Sequence, residues 1–187
     1  MRRSSEQTKA AILAAARERF GAAGFQAATI RAIAADAGVD PAMVMRYYGS
    51  KDKLFAAAAE FDLKFPDFAT THPTQVGRSL VRHFLERWEG DEALVILLRS
   101  SATNGEAAQR MHEIFGTQLQ PLVATILSGQ VPGSEAGVRA GLIATQILGM
   151  ALCRYVLRLP PVVEMSRDEI VEWLGPTIQR YFGLPDS

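Results

Sequence analysis

The stretch Thr29-Ile-Arg-Ala-Ile-Ala-Ala-Asp-Ala-Gly-Val-Asp-Pro-Ala-Met-Val-Met-Arg-Tyr-Tyr-Gly-Ser-Lys-Asp-Lys-Leu54 packs three helix starts and two helix stops into 26 residues. Thr29 offers a hydroxyl acceptor to the open amides of the next turn, and Ile30, Ile33, Ala34 and Ala37 follow at helical spacing. A short helix is therefore predicted from Thr29. Gly38 can take positive φ at its end without steric penalty, with Val39 tucked beneath the turn. Asp40 then supplies a carboxylate cap and Pro41 fits the first helical position, where a missing N–H costs no hydrogen bond. In this second helix Val44 and Tyr48, four apart, face inward, leaving Pro41, Ala42, Met43, Met45, Arg46 and Tyr47 around the outer surface. Ser50 caps a third helix, and its open amides beside Lys51 make a candidate phosphate site. The pattern predicts a helix-turn-helix, a unit shaped to lay one short helix in the major groove of DNA.

The run from Gly38 to Leu54, together with the lead-in helix Ile12-Leu-Ala-Ala-Ala-Arg-Glu-Arg-Phe-Gly-Ala-Ala-Gly-Phe25, closely resembles the tetracycline-repressor (TetR) family of bacterial regulators. The resemblance covers about the first third of the chain, from Lys9 to near Glu60. It implies that Arg31 reaches a base or nearby phosphate, that Pro41, Ala42 and Met43 line base edges, and that Thr29, Tyr47 and Lys51 hold the DNA backbone. Met45 departs from the pattern, standing where the family usually has a tyrosine that contacts DNA. Its thioether cannot donate to phosphate, though it packs well on a thymine methyl.

Composition bounds the rest. With 187 residues, 48% of them hydrophobic, the chain has material for one compact domain or for a small head and a larger body. A net charge of zero argues against indiscriminate coating of nucleic acid. The charge is unevenly spread: ten Lys and Arg against seven Asp and Glu through Lys64 give +3, leaving −3 beyond. Arg2 and Arg3 are candidates for an arm that touches phosphate. Cys153, the single cysteine, cannot form an internal disulfide, fits a reducing cytoplasm and is expected as packing. The N-terminus lacks the continuous apolar core of a secretory signal. Residues 140–153, the most apolar stretch, lie between Arg139 and Arg154 and fall short of the about 20 residues a membrane span needs. A cytoplasmic protein without membrane contact is expected. Three scattered histidines and one cysteine give no metal spacing, and no phosphate loop or nucleophile motif occurs, so neither catalysis nor a metal or cofactor is expected.

Beyond Lys64, the prolines of Phe65-Pro-Asp-Phe-Ala-Thr-Thr-His-Pro-Thr74 break helical periodicity and mark a connection. Leu80, Val81, Phe84, Leu85 and Trp88 then form an apolar stripe, Gly90-Asp91 a break, and 93–98 a short buried segment. Asn104 is read as a cap, Pro121 as a kink or restart, and 129–133 as a loop. Residues 138–159 are apolar on nearly every side, and Ser166-Arg-Asp-Glu169 is a capping box opening a last amphipathic helix. One subunit cannot easily cover all those faces, so a homodimer is expected, with Leu142, Ile147, Leu148, Trp173 and Ile178 at its interface. A twofold pair would present two recognition helices to double-stranded operator DNA.

The expected fold is all-α: an N-terminal three-helix head with the helix-turn-helix at 1–53, a linking helix to about 64, and a larger helical domain at 65–187 for ligand binding and dimerisation. The resemblance further implies a small-molecule effector between the body helices that releases the protein from DNA. Phe84, Trp88, Leu97, Met111, Phe115 and Met150 are candidates to line its apolar cavity, with His83, Arg99 and His112 to orient a polar group. A body that binds a protein partner, or only dimerises, fits the same periodicity.

Overall fold

The computed structural model describes residues 4–90 and 93–183; Arg2, Arg3 and Asp91, for which an arm and a break were expected, lie outside the described residues. The described residues are helical with no strand, as an all-α fold requires. In chain order the helices are α1 (Ser5–Ala27), α2 (Ile30–Ala37), α3 (Pro41–Tyr48), α4 (Lys51–Ala58), α5 (Val76–Gly90), α6 (Ala93–Ser100), α7 (Gly105–Ile114), α8 (Gln120–Ile126), α9 (Gly133–Ala151), α10 (Pro160–Glu164) and α11 (Arg167–Phe182). They pack as two units, Met1–Phe61 with Asp91–Met111, and Asp62–Gly90 with His112–Ser187. α6 and the start of α7 pack with the N-terminal helices. The physical reason is that α6 buries Leu94, Ile96 and Leu97 and sends the Arg99 guanidinium to the Gly21 carbonyl of α1.

In the first unit every helix from α1 to α4 begins on a side-chain cap. Ser4 Oγ accepts from the Gln7 amide at 3.1 Å while Gln7 Oε1 accepts from Ser4 N at 2.9 Å, a capping box that starts α1 well before the expected Ile12. Gly24 at φ 76° interrupts α1 and turns Phe25 toward the core. There Phe55 makes edge contacts with both Phe20 and Phe25 at centroid distances of 5.1 Å, among fully buried Ile12, Ile33, Val44 and Leu54.

The second unit is organised by a close crossing of α5 and α11. A β-carbon on Gly77 would collide with the Gly175 carbonyl and lie 2.6 Å from Gln179 N, so only glycine permits this approach. Gln179, 1% exposed, bonds across the crossing: its Oε1 accepts from Gly77 N at 2.7 Å and its Nε2 donates to Pro73 O at 2.6 Å. Pro121 stands in the first turn of α8, the restart expected of it, where its missing N–H costs no intrahelical bond. The π-helical turn Phe115–Leu119 precedes it, with Gln120 N bonded to Phe115 O, and the helical path continues from α7 into α8. A second π turn, Leu152–Val156, extends α9. The resulting 24-residue helix, Gly133–Val156, is long and apolar enough to cross a membrane by length and composition. This corrects the shorter span read from 140–153, because the helix recruits residues before Arg139 as well. Little of its most apolar stretch is buried within the chain.

Candidate nucleic-acid interface

The turn between α2 and α3 follows from its residues. Thr29 Oγ1 accepts from Ala32 N at 3.2 Å, and Gly38 closes α2 in the left-handed conformation, φ 65°, so that Val39 N reaches Ala34 O at 2.9 Å. Asp40 Oδ1 accepts from Ala42 N at 2.8 Å and Pro41 opens α3. Val44 is fully buried and anchors α3, leaving Pro41, Ala42, Met45 and Arg46 exposed. Met45 is 44% exposed on this outer face. Met43 and Tyr47 are half-buried at the edges of this face, and Arg31 is exposed on α2.

α1 holds α3 from behind. Tyr48 Oη donates to Lys9 O at 3.1 Å, and burial raises its phenol above the usual tyrosine range. Tyr47 Oη lies 3.1 Å from Ser5 Oγ, and the Arg46 guanidinium sits 5.8 Å from the Tyr47 ring centre. Sequence reading missed Ser5 and Lys9 as supports of the recognition surface; the Ser4-Ser5-Glu6-Gln7 capping signature was the available signal. On the other flank Arg19 binds both carboxylate oxygens of Asp36, with Nη2 to Oδ1 at 2.8 Å, tying α1 to α2. That hydrogen bonding holds the Asp36 carboxyl below the usual aspartate range.

Lys51 is not extended into solvent. Its Nζ donates to Gln26 O at 3.3 Å and lies 4.5 Å from the centre of the Phe25 ring, joining α4 to the end of α1. Ser50 Oγ accepts from Lys53 N at 3.1 Å at the same helix start.

The six residues expected to line an effector cavity fall in both units. Leu97 and Met111 belong to the first unit, whereas Phe84, Trp88, Phe115 and Met150 belong to the second. Phe84 and Trp88 are buried against each other, 5.3 Å between ring centres, with Tyr155 6.1 Å beyond. They form core because the α5 stripe packs inward. Met150 lines a cavity of about 270 Å³ shared with Thr145, Gly149 and Trp173. His83 Nε2 is engaged with Leu63 O at 2.7 Å and Arg99 with Gly21 O, while His112 is exposed.

The expected interface residues divide as well. Leu142 and Trp173 are exposed, Trp173 by 77%, and Leu148 is half-buried. Ile147 and Ile178 are instead fully buried in the subunit's own core. The reason is helical phase: α9 buries Ala136, Ala140, Ile143, Ile147 and Ala151 on one face, and Val138, Leu142, Thr145 and Gly149 lie opposite.

A head whose capped α2 and α3 expose one face of α3, followed by helices that form their own core, defines a regulator of the helix-turn-helix type. The model of bacterial regulatory proteins of the tetR family matches residues 12–58, and that of the tetracyclin repressor-like C-terminal domain matches residues 74–182. The chain belongs to the TetR family and is a DNA-binding transcriptional regulator. Among solved structures it is similar to a TetR-family regulator from Streptomyces coelicolor, 27% identical with 97% of this chain and 98% of that one covered at a TM-score of 0.56. NalD of Pseudomonas aeruginosa, the secondary repressor of the MexAB-OprM multidrug efflux pump, is 24% identical over 96% of each chain, TM-score 0.66. A TetR-like regulator from a Rhodococcus is 21% identical, with 97% and 99% covered at 0.72. The last two likenesses speak to the fold alone. No curated protein matches the sequence.

Proposed function

We propose that the chain is a homodimeric, cytoplasmic repressor that grips operator DNA through α3 and is released by a small, largely apolar effector. The observation that carries the DNA reading is the outer face of α3, where Pro41, Ala42, Met45 and Arg46 are presented by a helix fixed at both ends. Pro41, Ala42, Met43 and Met45 supply apolar contact to base edges, while Arg31 and Arg46 supply donors to base or phosphate. Thr29 keeps its hydroxyl proton for a phosphate oxygen after accepting from Ala32 N. Tyr47 offers its hydroxyl, and Lys51 its charge, to the backbone.

The homodimer reading is supported by the apolar face left on α9 and α11, where Val138, Leu142 and Trp173 are exposed beside the cavity at Gly149. A twofold copy of the same patch would cover it and set two α3 helices roughly 34–36 Å apart, one DNA turn. An effector that favours the DNA-incompetent state by about 3 kcal/mol would weaken operator affinity about 150-fold.

Selection of bound fragments from the genome that encodes the chain tests this, with binding then measured across salt concentrations. Lys51→Ala is expected to weaken all sequences alike and to reduce the salt slope by about 0.9. Arg31→Ala is expected to cost about 1–3 kcal/mol and relax preference at particular base pairs. Failure to retain any duplex in dilute buffer would end the reading, and sedimentation as a monomer in detergent-free buffer would end its dimeric part. Dispersal only in detergent would assign the α9 face to lipid instead.

A further inference from the structure

We propose that the cleft between the 66–73 connection and the end of α8 is a binding site for a small neutral or amine-bearing apolar molecule, and that the effector of the regulator read above sits there. The proposal rests on that reading and places the effector away from the α5 aromatic stripe.

The cleft arises from the sequence. Pro66 and Pro73 remove two backbone donors from a segment of eight residues, so no continuous α-helix runs through both positions from α4 to α5. The segment crosses instead through the 3-10 turns Phe68–Thr70 and Pro73–Gln75, leaving a cavity of about 360 Å³ against α8. That volume lies within the about 300–1,000 Å³ typical of small-molecule sites. Phe68, Val76, Leu122 and Ile126 form apolar walls between the two prolines. The polar lining comprises Thr71, Thr125, Gln130 and Asp67. Thr125 Oγ1 donates to Pro121 O of its own helix at 2.9 Å, so its hydroxyl proton is committed to the backbone. The four apolar side chains and two proline rings outnumber the polar groups of the lining, which favours an apolar occupant. Asp67 is the one ionisable side chain of the lining, and its carboxylate disfavours an anion.

The walls do not simply close on the gap. Phe68 rests near Phe65 at 6.4 Å between centres, and Phe65 rests on Phe84 at 5.8 Å. Upstream, Leu63 N donates to Gln118 Oε1 at 2.7 Å, Leu63 O lies 2.7 Å from His83 Nε2, and Arg87 Nη2 donates to Asp62 O at 2.7 Å. Lys64, at φ 48°, is the joint between this pinned stretch and the cavity wall.

Methyl NMR of the intact chain tests the assignment with three probes, toluene, benzylamine and benzoate. Toluene and benzylamine are expected to shift the methyl resonances of Ile126, Leu122 and Val76 while leaving Ile178 in place, and benzoate to bind at least about tenfold more weakly. Ile126→Trp, which fills the cleft, is expected to weaken benzylamine by about tenfold or more. If that variant fails to unfold cooperatively, Thr71→Trp from the opposite wall must give the same loss. Unshifted methyls with all three probes, preference for benzoate, or undiminished binding in a folded filled variant would each overturn the site. Retention of DNA fragments is read separately without probe, so a chain that ignores DNA defeats the regulator reading while the methyl shifts still decide the cleft. A cleft saturated with benzylamine under unchanged DNA retention would overturn its role as the effector's seat.

Discussion

The helix-turn-helix head and the second packing unit solve the same problem, holding short helices in place, by different means. From α1 to α4 each helix starts on Ser4, Thr29, Asp40 or Ser50, whose side chain bonds an amide two or three residues ahead. In the second unit α8, α9 and α10 lack a side-chain cap, and α5 and α11 are held by contacts between residues far apart in sequence, such as Gly77 with Gly175 and Gln179. Local rules thus position the face that reads DNA, and long-range packing positions the helices proposed to sense an effector and a second subunit.

The largest effect that would break this contrast lies at the α5–α11 crossing. Gly77→Val has no room to relax, because its clashes are with backbone rather than with flexible side-chain ends. Overpacking at such a point is expected to cost about 3 kcal/mol, lowering the thermal midpoint by several degrees in circular dichroism. An unchanged midpoint would mean that the crossing is looser than its geometry requires. Next in size is Trp173→Arg. A 77% exposed tryptophan contributes little to its own subunit, so the variant is expected to fold normally while weakening self-association by about 2 kcal/mol or more. Sedimentation across concentrations separates the two effects. A variant that unfolds but still pairs would reassign Trp173 to the subunit's stability.

This division explains what was legible in the sequence. Thr29, Gly38, Asp40, Pro41 and Ser50 each act on neighbours within five residues, and all five took their expected places at helix ends. Asn104, Ser166 and the inward α5 stripe were readable for the same reason. Phase along α9 was not readable, because that helix is apolar on most faces and only packing decides that Ile147 points inward and Leu142 outward. The return of α6 to the first unit depends on the distant Arg99 to Gly21 bond, which no local pattern announces. At Lys51 a local reading assigned a phosphate contact, while the fold engages the same ammonium with Gln26 O and the Phe25 ring.

A smaller change sharpens the contrast from the side of the head. Asp40→Ala removes the acceptor of Ala42 N and is expected to cost about 1 kcal/mol in urea unfolding. Asp40→Asn, which keeps an oxygen in the same place, is expected to restore most of that loss. Equal losses in both variants would show that the charge of Asp40 matters more than its hydrogen bond.

The weakest effect concerns the one tie in the head whose strength follows pH. Arg19 donates to both oxygens of Asp36, so the folded carboxyl titrates below the usual aspartate range. A carboxylate depressed by folding contributes stability above its ordinary titration range and loses that contribution as pH falls through the folded value. Both partners are solvent-accessible, so screening keeps the contribution small and salt should shrink it further. Carboxyl-carbon NMR through acid pH is therefore expected to find Asp36 protonating later than the other exposed aspartates. Arg19→Gln should return it to their range without disturbing α2, whose start is fixed by Thr29. If Asp36 titrates with the rest in the unmodified chain, α1 and α2 are joined in solution by their buried faces alone, and the head too owes its geometry at that point to packing.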